Sequence, residues 1–157
     1  MVNAMLPEQI SAHWDIIKYG IERSLPPFVG DHPDKMNRIL GALLSGKLIC
    51  WAAYQVDGDN RKFEGILITE ILHDKASDTK NLLIYCAYGY EHGTPERWLY
   101  GLKVILKYAK SKGCTNVVAY TTIPYMVNLA KSMGGSAEWT YCMFNVKSLM
   151  QELIGGE

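Results

Sequence analysis

The sequence predicts a single α/β domain, α+β in its pairing, built on a mixed, mostly antiparallel central sheet flanked by helices. Three observations predict it. Apolar residues recur at helical spacing in four stretches, strand-type apolar runs fill the intervals, and Pro and Gly punctuate the junctions. The expected order is α-α-β-β-β-α-β-α-β. No internal repeat, linker or low-complexity segment interrupts it, so residues 1–157 read as one domain. A chain of this length buries roughly 70% of its unfolded surface, enough for one core.

From 7 to 24, Ile10, Trp14, Ile17 and Ile21 lie three or four apart, on one face of a helix. Pro26 and Pro27 stop that helix, because proline lacks the backbone donor and disfavours helical geometry in the residue before it. Met36, Ile39, Leu40, Leu43 and Leu44 form a second stripe over 36–44, closed by Gly46 where a helix turns left-handed. Residues 48–56 are nearly continuously apolar, Asp57 and Gly58 begin a turn, and 63–72 read as the return strand of a hairpin. Residues 82–88 are apolar at both parities, as a strand covered on both faces requires. The loop Gly89, Tyr90, Glu91, His92, Gly93 and Thr94 leads into a helix over 95–112, with Thr94 as N-cap and Pro95 in the first helical position. Gly113 ends it. A short strand over 116–121, a short helix over 124–133 and an aromatic-rich last strand over 137–146 complete the order.

Sixteen basic and sixteen acidic residues cancel, so the net charge does not favour nucleic acid, whose phosphates are met by clustered Lys and Arg. The longest apolar runs are about eight residues, against roughly 20 needed to cross a bilayer, and no basic-then-apolar leader is seen. The expectation is a cytoplasmic protein with neither nucleic acid nor membrane as partner. Cys50, Cys86, Cys114 and Cys142 are widely spaced, as free thiols are, and no zinc-ligand spacing appears. Asp57, Gly58, Asp59 and Asn60 look like the start of a calcium loop, but Ile68 stands where its glutamate belongs, so no metal is expected.

Two helices, an antiparallel meander, then strand, loop, long helix, strand, short helix and final strand resembles the succession of the GNAT family of N-acetyltransferases. The likeness spans residues 7–146, with the family's first strand short or missing. More specific is the 89–94 loop, between a buried strand and the start of an amphipathic helix. In that family this junction is the pyrophosphate loop, so the resemblance implies acetyl-CoA (coenzyme A) as cofactor, lying across Cys86, Ala87, Tyr88, Tyr90, His92, Gly93, Thr94 and Arg97. An independent physical argument points to the same place. The first turn of a helix carries unpaired N–H groups and about half a positive charge, and glycine lets backbone approach phosphate closely.

The family's loop usually reads Gln or Arg, two residues, Gly, one residue, then Gly or Ala. Here Tyr90, Gly93 and Pro95 hold those places, with Glu91 and Glu96 adding negative charge beside them. Members commonly end the short helix with Leu-Tyr, three residues and Gly-Phe, the tyrosine serving as general acid. Here Leu129 is followed by Ala130, and Tyr125, one turn earlier, or Tyr120, on the preceding strand, are the candidate replacements.

Acetyl transfer to an amine needs a base for the amine proton, a donor aimed at the thioester carbonyl and an acid for the sulfur. The resemblance implies that the donor is a backbone amide among Cys86, Ala87 and Tyr88. No Asp or Glu lies in 82–88, which leaves Glu70 on the preceding strand as the candidate base. Phe28, Asp31 and His32 belong to the loop that borders the acceptor groove in the family, and Tyr85 is a candidate floor for the acceptor. Each has a plainer reading: Glu70 as a solvated or lysine-paired carboxylate, Asp31-His32-Pro33 as a helix start, the tyrosines as core filler.

These residues point to an acetyl-CoA-dependent N-acyltransferase acting on a small-molecule amine or a protein amino group. The alternative is a catalytically inactive GNAT-fold binding or structural module, of the phage-encoded kind that some such sequences resemble. The altered loop, the absent tyrosine and the nearby carboxylates favour it. The last strand, over 138–146, offers an edge through which a second copy could pair to form a homodimer, while the sequence itself does not fix the oligomeric state.

Overall fold

A short strand that the sequence pattern does not announce opens the chain: Val2–Ala4 (β1) pairs antiparallel with Ile49–Asp57 (β2), Val2 facing Ala53 and Ala4 facing Trp51. The computed structural model describes residues 1–155, which fall into two compact units, Met1–Thr122 and a C-terminal unit beginning at Ile123.

In the first unit, the stripe expected to make one helix over 7–24 makes two. Pro7–Ala12 (α1) and Trp14–Glu22 (α2) are separated at His13, whose φ of −115° and ψ of 21° are not helical. Ile10, Ile17 and Ile21 are nonetheless all buried, so the apolar face runs on across the break and spacing alone conceals it. At the start of α1 the Leu6 N–H donates to the Gln9 side chain at 2.8 Å, giving one of the orphan groups of that helix end a partner. Lys35–Leu44 (α3) carries Ile39 and Leu43 into the same core, and Gly46 beyond it adopts φ +80°. Glycine takes that left-handed geometry without strain.

The expected hairpin forms. β2 turns back through Gly58 into Asn60–His73 (β3), which pairs antiparallel with Lys80–Gly89 (β4). Pro95–Ser111 (α4) then crosses to Cys114–Ala119 (β5), which lies parallel to β4. The sheet order is β1-β2-β3-β4-β5, with a helical crossover at its single parallel step, as a parallel pair requires.

Neighbouring residues Cys50 and Trp51 serve different cores, as strand alternation dictates. Cys50 joins Ile10, Ile17, Ile21, Ile39, Leu43, Ile66, Ile68 and Cys86 beneath α1, α2 and α3. Trp51 packs with Leu82, Ile105 and Ala109 under α4. Burial of each large apolar side chain stabilises by about 1.5–3 kcal/mol. In the α4 core the Trp51 indole N–H donates to the hydroxyl of buried Thr69 at 3.0 Å, so neither polar atom is left without a partner.

In the C-terminal unit, Pro124–Ser132 (α5) ends in a cap where the Gly135 N–H donates to the Ala130 carbonyl at 2.9 Å. The strand expected over 137–146 does not form. Residues 137–145 join no ladder, and Val146–Ile154 is a helix (α6) capped by the Asn145 side chain, which accepts from the Ser148 N–H at 3.0 Å. Aromatic-rich sequence favours strand only where a neighbouring strand receives it. The strand edge through which a second copy could pair is therefore not formed.

Candidate functional site

The β3–β4 ladder sets the first feature. Ile66 faces Tyr88, Leu67 faces Ala87 and Ile68 faces Cys86, but Thr69 faces Ile84. Tyr85 has no opposite number and is one extra residue in β4, a β-bulge. The β4–β5 ladder ends at the same place, with Ile84 opposite Ala119 as its last pair. From Tyr85 to Gly89, β4 is bonded to β3 on one side, and among the described residues no strand pairs with its other side. The main-chain groups of that open edge need another partner. Cys86, Ala87 and Tyr88 all lie on it. The Cys86 thiol is buried, and burial pushes it up to about 11 against the lowering effect of a hydrogen bond with Ser24, so it is no nucleophile.

The open edge leads into the start of α4. There the Thr94 hydroxyl accepts from the Arg97 N–H at 3.3 Å, the expected N-cap. A Cβ on Gly93 would stand 2.9 Å from Nε1 of Trp98, so glycine at this position makes room for the indole. Tyr90 turns inward: its phenol donates to the Ile16 carbonyl at 2.5 Å, and burial pushes its pKa up. Arg97 lies 3.4 Å from Oε1 of Glu64, which is buried without a hydrogen bond. That contact is an ion pair only. Glu91 pairs with Lys62, whose hydrogen bond and charge hold the Glu91 carboxyl below its usual range. His92 and Glu96 are exposed. The loop's charges are therefore largely matched in pairs, Glu91 with Lys62 and Arg97 with Glu64. Neither Lys62 nor Glu64 has a signature in the sequence, because long-range pairs on β3 leave no local signal. Glu64, Glu96, Arg97, Gln55 and Tyr100 line a cleft of about 290 Å³ at this end of α4.

On the acceptor side three rings meet. Phe28 packs edge-on against Tyr85, centroids 6.0 Å apart, and against Tyr120, centroids 5.6 Å apart. Glu70 is half-buried on β3, opposite Leu83. Burial, and after it the charges of Cys86 and Glu70, push the Tyr85 phenol up. Asp31 and His32 serve the helix start instead: Asp31 pairs with Lys35 at 3.3 Å, and Nδ1 of His32 accepts from the Asp34 N–H at 3.0 Å. Tyr125 lies in α5 of the C-terminal unit and is exposed. The structure thus brings together Phe28, Tyr85 and Tyr120 where β4 and β5 part, with Glu70 on β3 one place beyond the residue that faces Ile84, while the Tyr90 phenol is bonded to Ile16 and Arg97 is paired with Glu64. Among the described residues no group of three or more His, Cys, Asp and Glu side chains could hold a metal, and no helix is long and apolar enough to cross a membrane.

No protein-family model matches the sequence, and no curated protein matches it. Solved structures do. A predicted acetyltransferase from Clostridium acetobutylicum, solved with acetyl-CoA, is 14% identical, with 94% of this chain and 97% of that one covered at a TM-score of 0.68. An aminoglycoside acetyltransferase from an uncultured soil metagenomic sample, in complex with sisomicin, is 13% identical over 92% and 93% of the two chains, TM-score 0.67. The ribosomal-protein-alanine N-acetyltransferase of Brucella melitensis biovar Abortus 2308 is 12% identical over 92% and 99%, TM-score 0.64. At such identities the likeness is one of architecture: this chain has the GNAT fold.

Proposed function

We propose that the protein is an N-acyltransferase that takes its acyl group from acetyl-CoA and passes it to an amine of a small molecule or to a protein amino group. The observation that carries this reading is the open edge of β4, which begins at the Tyr85 bulge and runs into the Thr94-capped start of α4. These residues suit the cofactor. An extended, amide-bearing arm can pair with an unpaired strand edge through main-chain hydrogen bonds, and a diphosphate suits the N–H groups at a helix start, here beside His92, Gly93 and Thr94. Bound there, coenzyme A would supply an acyl group activated as a thioester.

The chain's own part is to orient, polarise and move a proton. A backbone amide among Cys86, Ala87 and Tyr88 would hold the acyl oxygen, Glu70 would take the amine proton directly or through water, and the Tyr120 hydroxyl would serve the departing sulfur. The neighbours solved with acetyl-CoA and with sisomicin support this reading through their shared architecture.

The second reading is a GNAT-fold binding module without catalysis, and a specific observation favours it. Tyr90 and Arg97, at positions expected to meet phosphate, are engaged with Ile16 and Glu64 instead. Thermal unfolding with acetyl-CoA separates the two. An acyltransferase gains several degrees in Tm at millimolar cofactor, because a ligand that binds only the folded state stabilises it by mass action, and it yields acetylated amine detectable by mass spectrometry. No shift and no product would leave the binding module.

A further inference from the structure

We infer that the acceptor is an amine carried on a planar apolar group, an arylalkylamine, seated against the rings of Phe28, Tyr85 and Tyr120. The chemistry rests on the acyltransferase reading; the recognition rests on different atoms. The three rings come from the loop after α2, the bulge of β4 and the chain just past β5, and they converge where the two strands part. Their interplanar angles of 69° and 77° are the edge-on arrangement in which aromatic groups attract. Phe28 is 44% exposed and Tyr120 45%, so the cluster displays aromatic surface instead of closing a core.

Charge narrows the choice further. Glu70 follows Thr69, whose ladder partner Ile84 adjoins the Tyr85 bulge, and among the described residues no hydrogen bond or ion pair ties its carboxylate up. Asp31 is already paired with Lys35, and His32 is engaged with the Asp34 N–H. One carboxylate and three rings match one ammonium on an apolar body: the carboxylate attracts the cation and the ring faces add to that attraction. A polycationic sugar or polyamine would need several carboxylates here, and its polar groups would lose water against the rings without replacement.

Calorimetric titration of the intact protein, with and without coenzyme A, tests this using 2-phenylethylamine and spermidine as probes. 2-Phenylethylamine is expected to bind at least roughly tenfold more tightly than spermidine. Phe28→Ala, a change on an exposed loop, should remove most of that preference. Glu70→Gln should weaken 2-phenylethylamine while leaving its uncharged analogue 2-phenylethanol unaffected. Spermidine binding as tightly, or 2-phenylethylamine binding indifferent to Phe28→Ala, overturns the inference. The cofactor's thermal shift reports separately: a ring-dependent amine site without any acetyl-CoA stabilisation keeps the aromatic site and removes acyl transfer, whereas acetyl-CoA stabilisation with spermidine preferred does the reverse.

Discussion

Tyr90 reaches across 74 positions of sequence to donate its phenol to the backbone carbonyl of Ile16 at 2.5 Å. The contact ties the loop after β4 to α2, and it fits only because Gly20 has no side chain. A Cβ there would stand 2.8 Å from the Tyr90 hydroxyl and 2.9 Å from Cδ1 of Ile66. A glycine inside a helix costs about 0.5–1 kcal/mol relative to alanine, so packing overrides propensity at this position. Gly20→Ala is expected to lower stability by about 1–3 kcal/mol, the usual scale of overpacking, despite its better helix propensity. Urea unfolding reads the change, and adding Tyr90→Phe should recover part of it by removing the crowded oxygen. An unchanged midpoint in Gly20→Ala would contradict the close approach.

The buried bond between the Trp51 indole and Thr69 supports a double-mutant cycle. Trp51→Phe strands the Thr69 hydroxyl and Thr69→Val strands the indole N–H, each at a cost of about 1–3 kcal/mol for the orphaned group. The double variant should lose less than the sum of the two. Additive losses would mean that the two side chains do not depend on each other.

Thr94→Ala removes the side-chain acceptor for the Arg97 N–H and should cost about 1 kcal/mol of stability. Thr94→Ser should retain most of it. Circular dichroism during denaturation measures both, and equal stability of the alanine and serine variants would argue against the cap.

Burial pushes the Cys50 thiol up to about 12, with Cys86 adding to the effect, and the Cys86 thiol up to about 11, against an ordinary 9.0. An unfolded thiol ionises from about pH 9 while the folded one stays protonated, so the unfolded state gains above that pH. The stability these groups contribute is complete below pH 9 and is lost as pH rises towards 11 and 12. Denaturation midpoints should therefore fall between pH 8 and pH 10.5, more steeply in the wild type than in Cys50→Ala. At pH 8 iodoacetamide should label exposed Cys142 well before either buried thiol. Labelling of Cys50 or Cys86 at the Cys142 rate would show that the core opens readily.

The parts of the fold legible in the sequence are those whose signals are local. The 36–44 stripe with Gly46, the Asp57-Gly58 turn and the Thr94-Pro95 start of α4 each join a periodicity to a residue with a steric or hydrogen-bonding reason, and each forms where expected. The break at His13 left no trace because Ile10, Ile17 and Ile21 keep one face through it. The last segment is misleading because aromatic residues suit a strand only where another strand pairs with them, and no local signal reports that partner. A competing signal was present there, with Asn145 as cap and Val146, Leu149, Met150, Leu153 and Ile154 at helical spacing. Of the candidate site, Phe28, Tyr85, Tyr120 and Glu70 stand out by residue type alone, but the meeting of the three rings and the parting of β4 from β5 do not, since a ladder's end depends on two strands at once. Nor could the inward turn of Tyr90 be read, because it depends on Gly20, far away in sequence.

The extra residue in β4 also decides which way the strand's side chains face. Leu82 packs beneath α4, yet Cys86, four places on and of the same parity, packs beneath the N-terminal helices. One insertion thus exchanges the strand's front and back midway along its length. Deleting Tyr85 would restore a plain zigzag, sending Cys86 and Tyr88 towards α4 and withdrawing the Tyr90 hook from Ile16. A single codon at the bulge therefore keeps two hydrophobic interiors in phase with each other.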